Sequence, residues 1–316
     1  TRRDWSMDFK KGTVAGGGVL GSQIAFQSAF RGFDVTVWLR SDASIGRAKP
    51  KFERLRTIYL QTLEAAKTNP AAWARGFGPE RPDDAGIDAL KEQVERAHAS
   101  LKLTTSYDEA ADADLVIESI AEDPAQKIAF YQELAKHLPE RTVIATNSST
   151  MLPSAFAEAT GRPEKYLALH FANEIWRNNT AEVMGHPGTD QAAYDQVVEF
   201  AAAIGMVPLK LHKEQPGYIL NSMLVPFLSA AEALYANEVA DPETIDKTWM
   251  LGTGAPVGPF RILDIVGLAT AYNIVIMNPL AKDPETTPGK IAAVLKKYID
   301  EGKTGVAAGE GFYTYK

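Results

Sequence analysis

The chain contains no cysteine among its 316 residues. This absence excludes disulfides, a cysteine nucleophile and thiolate metal sites, and we expect no metal centre. No apolar run approaches the roughly eighteen residues that cross a bilayer. Residues 1–11 also lack the apolar segment of a secretory signal, so we expect a cytoplasmic protein. The net charge of −7 argues against a general nucleic-acid-binding protein.

The remaining composition is that of a globular protein with ample core, because 45% of the residues are hydrophobic and 23% are charged. The length exceeds the usual size of a single domain, so we expect two domains. We place the first at residues 1–213 and the second at residues 214–316.

A glycine motif follows the first predicted strand, which spans residues 10–15. Gly16, Gly18 and Gly21 fit the pattern G-x-G-x-x-G, and apolar residues then recur at helical spacing. The first glycine allows a tight turn, the second lets backbone approach a pyrophosphate, and the third allows close packing of helix and strand. The helix N-terminus at Val19 and Leu20 then faces the phosphates. We predict a dinucleotide site here; the alternative is a glycine-rich loop without a ligand.

The end of the second strand bears on the choice of cofactor. An NAD site usually has an acidic residue there to bind the ribose hydroxyls, whereas this chain reads Leu39-Arg40-Ser41. Without that carboxylate nothing repels a 2′-phosphate, and Arg40 and Ser41 can donate hydrogen bonds to it. We therefore favour NADP over NAD. The alternative is an exposed arginine that takes no part.

Residues 41–100 are longer than a simple crossover and predict a helical insertion. Pro50 suits the first turn of its first helix. A group of basic residues could receive the phosphates of a bulky anionic substrate, although a solvated helix face explains it as well. This basic cluster consists of Arg47, Lys49, Lys51, Arg54 and Arg56.

Polar residues also follow two buried strands, at residues 113–120 and 142–146. Glu118, Glu122 and Lys127 come at and after the first, and Asn147 and Ser149 follow the second. The carboxyl ends of parallel strands meet at one crevice, so we expect these groups to face the cofactor.

An apolar run ends in His170, and Glu182 lies twelve residues later. A carboxylate that bonds one ring nitrogen fixes the tautomer and stabilises the imidazolium, so the other nitrogen can exchange a proton with a substrate hydroxyl. For the two residues alone, an ordinary surface contact is the alternative.

The second domain is predicted to be all helical. Apolar helices are expected from Tyr218 to Glu238 and from Phe260 to Ile276. Such helices need more partner surface than about a hundred residues provide, so we predict a homodimer through this domain. The alternative is that they pack only on the first domain.

Several motifs, in this order, resemble those of the 3-hydroxyacyl-CoA dehydrogenase family over essentially the whole chain. They are GGGVLG, VIESIAED, TNSST, ALHFAN, PGYILN, APVGPFRILDIVGL and EGFYTY. The fold expected is α/β, a Rossmann-type doubly wound sheet followed by an all-α C-terminal domain.

The resemblance implies a role for each matching residue. His170 would be the catalytic acid and base with Glu182 as its partner, and Ser149 would bond the reacting oxygen or the cofactor amide. Asn221 would help to hold the substrate. The cofactor contacts implied in this way are Glu122, Lys127, Asn173 beside the nicotinamide, and Lys303, where this chain is longer than the family pattern.

The activity implied is the interconversion of a short-chain 3-hydroxyacyl-CoA and its 3-oxoacyl-CoA with NAD or NADP. Two departures bear on it: Leu39 replaces the family's usual aspartate, and residues 173–179 read NEIWRNN where the family has Asn-Pro and an apolar segment. The alternatives are a dehydrogenase of a free 3-hydroxy acid and a non-catalytic, crystallin-like binding protein.

Overall fold

Strands of four to six residues form most of the sheet at the centre of the N-terminal part. The structure is a computed structural model that describes residues 9–315, so most of the N-terminal segment considered above lies outside it. Within the described residues the strand order is β3-β2-β1-β4-β5-β6-β7-β8. The strands are β1 Lys11–Ala15, β2 Asp34–Trp38, β3 Lys102–Thr104, β4 Leu115–Glu118, β5 Val143–Thr146, β6 Tyr166–Phe171, β7 Thr180–Met184 and β8 Val207–Lys210.

The first six strands are parallel to one another. The order reverses between β1 and β4, which creates a crevice at their carboxyl ends, the usual place of a ligand in such sheets. Strand β7 is antiparallel to β6, and β8 runs parallel to β7. Every residue of β4, β5 and β6 is buried, as expected for strands covered on both faces.

Helices cover both faces of this sheet and confirm the predicted Rossmann-type fold. They are α1 Val19–Phe30, α2 Asp42–Thr68, α3 Asp84–Ser100, α4 Tyr107–Ala111, α5 Pro124–Ala135 and α6 Gln191–Ala203. The predicted start of α2 near Pro50 was wrong. The helix begins at Asp42 because the side chain of Ser41 accepts a hydrogen bond from the backbone N–H of Ser44, and Pro50 lies inside it.

The chain divides into two compact units between Ile219 and Leu220, whereas the sequence placed the boundary at residues 213 and 214. The C-terminal unit is helical, as predicted, with a core that includes Phe260, Leu263 and Leu295. Its helices are α7 Leu220–Ala236, α8 Pro242–Thr253, α9 Pro259–Val266, α10 Leu268–Val275 and α11 Thr287–Asp300.

The single helix predicted over Phe260 to Ile276 is in fact two helices. Gly267 separates them with a φ of 96°, a backbone conformation that glycine adopts without strain. The backbone N–H of Leu268 then donates to the carbonyl of Thr304. The break therefore lets the start of α10 bind the segment after α11.

Two buried aspartates hold the C-terminal EGFYTY segment against the helices. Asp264 accepts hydrogen bonds from the backbone N–H of Phe312 and Tyr313 and from the hydroxyl of Tyr315. Asp246 accepts from the hydroxyl of Tyr313 and from the backbone N–H of Phe260. These bonds explain the motif as a structural element of the C-terminal unit.

Candidate functional site

The glycine loop leaves β1 and packs closely against the segment that follows β4. Gly16 has a φ of 116°, and a Cβ there would collide with the backbone carbonyl of Ser119. A Cβ on Gly21 would collide with the carbonyl of Gly16, whereas one on Gly18 would meet nothing within 4 Å. Two glycines are therefore required by packing, and the third leaves open space at the start of α1.

That open space suits a phosphate group. Gly18 is the N-cap residue of α1 and makes no side-chain cap bond, so the first N–H groups of the helix are left to bind a ligand. Val19 is 59% exposed, and Leu20 is half-buried. A helix N-terminus with uncapped N–H groups and no side chain in front of it is a typical pyrophosphate site, so these residues fit a dinucleotide.

The end of β2 carries Leu39 where an NAD site usually has an acidic residue, and packing explains this leucine. Leu39 is buried, and a Cβ on Gly17 would lie 2.6 Å from its side chain. Arg40 is exposed. Ser41 caps α2, so its hydroxyl already has a structural role. Of the two predicted phosphate ligands, Arg40 is therefore the one whose side chain makes no hydrogen bond or ion pair within residues 9–315.

The side chains of the basic cluster of α2 contact different parts of the protein. Lys51 Nζ lies 2.9 Å from the carbonyl oxygen of Gly17, so this ammonium is at the glycine loop. Arg47 donates to the hydroxyl of Ser44, whereas Arg56 pairs with Glu95 of α3 at 2.7 Å. Of these three cations, Lys51 therefore lies at the glycine loop, whereas Arg56 is bound to α3.

His170 lies in β6 directly opposite Glu182 of β7 in the antiparallel register. His170 Nδ1 is 3.0 Å from Glu182 Oε1, and both side chains are buried. The other ring nitrogen, Nε2, is 3.2 Å from the hydroxyl of Ser149. The structure thus brings three of the predicted catalytic residues together, and the ring nitrogen that lies away from the carboxylate contacts an exposed serine.

Sequence reasoning missed Tyr218, which stacks on the ring of His170 with centroids 4.4 Å apart and planes 12° apart. Its hydroxyl donates to the carbonyl of Ser148 at 2.6 Å, and burial raises its pKa. The next residue, Ile219, donates its backbone N–H to Glu182 Oε2 at 2.8 Å. The Pro216-Gly217 turn was the available signal, because it delivers these two residues.

Glu118, the last residue of β4, forms a cluster with Glu122 and Lys127, which follow it in the chain. Lys127 Nζ lies 2.6 Å from Glu118 and 3.1 Å from Glu122, and the Lys127 and Glu118 side chains are almost fully buried. Burial acts to raise the pKa of Glu122, but hydrogen bonds from Thr150 and Ser148 and the charge of Lys127 outweigh it and lower that pKa. The partly exposed carboxylate of Glu122 therefore stays ionised at the crevice, and the buried ammonium of Lys127 is its partner.

Asn147 is buried and joins three strand ends. Its side-chain oxygen accepts from the backbone N–H of Phe171 at 3.0 Å, and its amide lies 3.4 Å from the hydroxyl of Ser119. This side chain fixes the end of β6 beside β5. Its predicted cofactor contact stays a prediction.

Asn173 lies two residues beyond β6 and is exposed. Its side-chain oxygen accepts a hydrogen bond from Gln23 Nε2 at 2.9 Å, so it contacts the helix that begins at the glycine loop. Gln23 had no signal in the sequence, since its partner lies 150 residues away.

The other two predicted residues lie in the C-terminal unit. Asn221 is the second residue of α7 and is half-buried. Lys303 lies after α11, 3.4 Å from Glu301 and 3.7 Å from Glu310. Their roles with substrate and cofactor stay predictions.

Taken together, the carboxyl ends of β1, β4, β5 and β6 carry a dinucleotide loop, an ionised glutamate, a serine hydroxyl and a histidine backed by a carboxylate. This arrangement can move a proton at one oxygen while a dinucleotide ring beside it exchanges a hydride. Among residues 9–315, no group of His, Asp or Glu side chains is arranged to hold a metal ion, and no helix has the length and apolar character to span a membrane.

Family models match nearly all of the chain. The model described as 3-hydroxyacyl-CoA dehydrogenase, NAD binding domain, matches residues 11–215, and the model of the C-terminal domain of the same family matches residues 217–315. The chain belongs to the 3-hydroxyacyl-CoA dehydrogenase family. It is an oxidoreductase that acts on CH–OH donors with a nicotinamide dinucleotide, so the non-catalytic alternative is set aside.

Two relatives illustrate this membership. The chain is 33% identical over 308 residues to human mitochondrial hydroxyacyl-coenzyme A dehydrogenase, which covers 96% of this chain and 90% of the human protein. It is 28% identical over 311 residues to a probable 3-hydroxybutyryl-CoA dehydrogenase of Bacillus subtilis, with 98% and 99% covered.

Solved structures of similar proteins have the same fold. A diketoreductase that acts on dicarbonyl compounds is 48% identical, with a TM-score of 0.83 and coverage of 97% of this chain and 99% of that one. FadB2 of M. tuberculosis is 29% identical, with a TM-score of 0.76 and coverage of 98% and 99%.

Proposed function

We propose that this dehydrogenase interconverts a short-chain 3-hydroxyacyl-CoA, such as 3-hydroxybutyryl-CoA, and its 3-oxoacyl-CoA. The observation that supports the proposal best is the position of His170, with Glu182 on Nδ1 and Ser149 at Nε2. A 3-hydroxyl group needs an acid–base group of this kind at its oxygen during oxidation.

When bound, the nicotinamide ring supplies the hydride acceptor or donor. In oxidation, Nε2 of neutral His170 takes the proton of the 3-hydroxyl group, and Glu182 stabilises the imidazolium through Nδ1. In reduction, the imidazolium returns that proton to the oxygen of the 3-oxo group. The Ser149 hydroxyl donates a hydrogen bond to the same oxygen, and Tyr218 limits the movement of the ring.

The test is an assay of acetoacetyl-CoA with the reduced cofactor, followed by the loss of absorbance at about 340 nm, where reduced nicotinamide absorbs. We expect turnover with acetoacetyl-CoA to be faster than with unesterified acetoacetate. No turnover of any CoA ester in the presence of either cofactor defeats this proposal.

A second candidate is a reductase of dicarbonyl compounds or 3-oxo acids without CoA. Two observations favour it: the 48% identity to a diketoreductase, and the polar residues that replace the family's apolar segment after Asn173. Within this segment Glu174 and Arg177 are exposed, whereas the apolar residues Ile175 and Trp176 are buried. This segment thus presents charged groups where the family presents apolar ones.

A substrate panel separates the two candidates. Acetoacetyl-CoA, acetoacetate and an uncharged 1,3-diketone are compared by kcat/KM with the same cofactor. A preference for the thioester supports the first candidate, and a preference for the diketone or the free acid supports the second.

For the cofactor we propose NADP in preference to NAD. The support is the exposed Arg40, the buried Leu39 in place of an acid, and the ammonium of Lys51 at the glycine loop. A guanidinium at the ribose end of the site binds a 2′-phosphate well. The kcat/KM ratio of NADPH to NADH is measured in the native protein and in Arg40→Ala. A ratio that favours NADH and is unchanged by the substitution ends this proposal.

We also propose that the chain functions as a homodimer through its C-terminal unit. Large apolar side chains are exposed there, among them Met223, Leu251, Ile265 and Met277. Exposed apolar area of this kind is typical of an interface. Sedimentation equilibrium of the intact protein gives the mass; a monomer at micromolar concentration contradicts the proposal.

A further inference from the structure

The side chain of Gln23 joins α1 to the segment that follows the strand of His170. Gln23 is buried, and its amide nitrogen donates to the side-chain oxygen of Asn173 at 2.9 Å. Its amide oxygen accepts from the backbone N–H of Glu174 at 2.9 Å and of Ile175 at 3.3 Å. One carboxamide thus makes three hydrogen bonds to three consecutive residues.

Backbone donors fix which way both amides point. The N–H of Glu174 donates to Asn173 as well as to Gln23, so the atom of each side chain that faces this N–H must be its oxygen. The nitrogen of Gln23 then faces the Asn173 oxygen. Among residues 9–315, no oxygen accepts a hydrogen bond from Asn173 Nδ2, which leaves that N–H group as the donor that Asn173 offers to a ligand.

The rest of the segment is also fixed in place. The carbonyl of Trp176 accepts from the N–H of Gly76 in the helical insertion at 2.7 Å, and a Cβ on Gly76 would lie 2.7 Å from that carbonyl oxygen. Gln27, one turn after Gln23, donates to the carbonyl of Gly76. Glu174 has a φ of 58°, which is unusual for a residue with a side chain. Asn173 is therefore held at one position between the start of α1 and the end of β6.

We propose that Gln23 is a positioning residue that keeps Asn173 as a hydrogen-bond donor to a carbonyl oxygen of the bound substrate or of the nicotinamide carboxamide. The inference rests on the proposed dehydrogenase function and adds that this side of the site offers a hydrogen-bond donor. A carbonyl oxygen is an acceptor, so the opposite orientation of the Asn173 amide would place oxygen against oxygen and weaken binding.

Gln23→Glu removes the N–H group that donates to Asn173. The ionised carboxylate still accepts from the backbone N–H groups of Glu174 and Ile175, but it cannot donate to Asn173. Because burial favours the protonated form, the variant is assayed at increasing pH until its kinetics no longer change relative to those of the native protein.

In the ionised variant the Asn173 oxygen faces the carboxylate, and a turned amide would set its nitrogen against the N–H of Glu174. The side chain therefore leaves this position, and its N–H group is lost to the ligand. We expect kcat/KM to fall about ten-fold, the loss of roughly one hydrogen bond. The thermal midpoint should also fall, because the variant buries a charge without a cation beside it.

Two comparisons distinguish positioning from a general disturbance of the segment. In an Asn173→Ala background, Gln23→Glu should cause no further loss of kcat/KM, because the side chain that it displaces is absent. Asn178→Ala removes the bond from Asn178 to the backbone oxygen of Asn173 and leaves the side-chain amide as it is, so we expect near-native kcat/KM. An equal loss from Gln23→Glu in both backgrounds overturns the inference.

The parameter that changes identifies the acceptor. If it is the nicotinamide carboxamide, Gln23→Glu weakens the binding of reduced cofactor in a fluorescence titration without substrate. If it is the substrate, cofactor affinity is unchanged and the KM of the 3-oxo substrate rises. Native values of both cofactor affinity and KM in Gln23→Glu overturn the inference.

A readout without turnover separates this inference from the proposed function. In protein labelled with 15N-asparagine, the side-chain signal of Asn173, assigned by its loss in Asn173→Ala, should move in Gln23→Glu. A native protein that reduces no candidate substrate defeats the proposed function and leaves this measurement intact. An unmoved Asn173 signal in Gln23→Glu overturns the positioning role.

Discussion

His170 and Glu182 are opposed residues of the antiparallel pair β6 and β7, and their side chains meet at 3.0 Å. Directly opposed residues on one face of such a pair have Cβ atoms about 5 Å apart. The sheet register therefore brings carboxylate and imidazole together, and the backbone N–H of Ile219 holds the second carboxylate oxygen.

His170→Gln should lower kcat by about 100- to 10,000-fold, because the amide cannot exchange the proton of the 3-hydroxyl group. Cofactor affinity should stay near native, since the glycine loop is untouched. Steady-state kinetics and a fluorescence titration of reduced cofactor check both parts. Near-native turnover would remove His170 from the chemistry.

Tyr218→Phe should cost about 1 kcal/mol of stability, since it removes the hydrogen bond to the carbonyl of Ser148. Turnover should fall less than in Tyr218→Leu, which also removes the ring stacked on His170. Urea unfolding and kcat are compared for the two variants. Equal kcat values in Phe and Leu variants would show that the stacked ring does not position the histidine.

Lys127→Met should destabilise the protein by about 3–5 kcal/mol, because it leaves the buried carboxylate of Glu118 without its cation. Adding Glu118→Gln should recover part of that loss, since the uncompensated charge is then gone. Urea unfolding of the single and double variants provides the measurement. A double variant less stable than Lys127→Met would contradict this account.

Glu232 should make the stability of the protein depend on pH. Burial raises its pKa from 4.5 to about 7, and among the described residues its Oε2 has no hydrogen-bond partner. Between these two pH values the folded state holds a proton that the unfolded state has lost. This group should therefore lower the free energy of unfolding by about 1.4 kcal/mol per pH unit as pH rises from 4.5 to about 7, with no further change above.

Glu232→Gln isolates that contribution, because the amide does not titrate. The stability of the native protein minus that of the variant should decline from pH 5 to pH 7 and then level off. Urea unfolding at several pH values measures it. Parallel pH profiles for the two proteins would mean that Glu232 titrates normally.

The sheet, the glycine loop and the pairing of His170 with Glu182 were predictable because local pattern determines them. The spacing of the glycines, the apolar runs and the residues at strand ends can each be read from short stretches of the sequence. The start of α2 could not be predicted in this way. Proline usually marks the first turn of a helix, but here the helix begins after the Ser41 cap and continues through Pro50. The break at Gly267 was hidden by continuous apolar spacing on both sides.

The contacts that refine the site depend on residues far apart in the chain. Tyr218 reaches His170 only after the last strand, and Gln23 reaches Asn173 from the first helix. Neither pairing leaves a periodic signal. The roles implied for Asn221 and Lys303 stay predictions.

Residues 172–179 connect the two strands that carry His170 and Glu182. Hydrogen bonds between the strands set the spacing of the acid and the imidazole, and the connecting residues do not. We therefore expect new sequences in this connection to change which substrates are accepted while the pairing of His170 with Glu182 is kept. Libraries randomised at its exposed positions other than Asn173 would test this expectation directly.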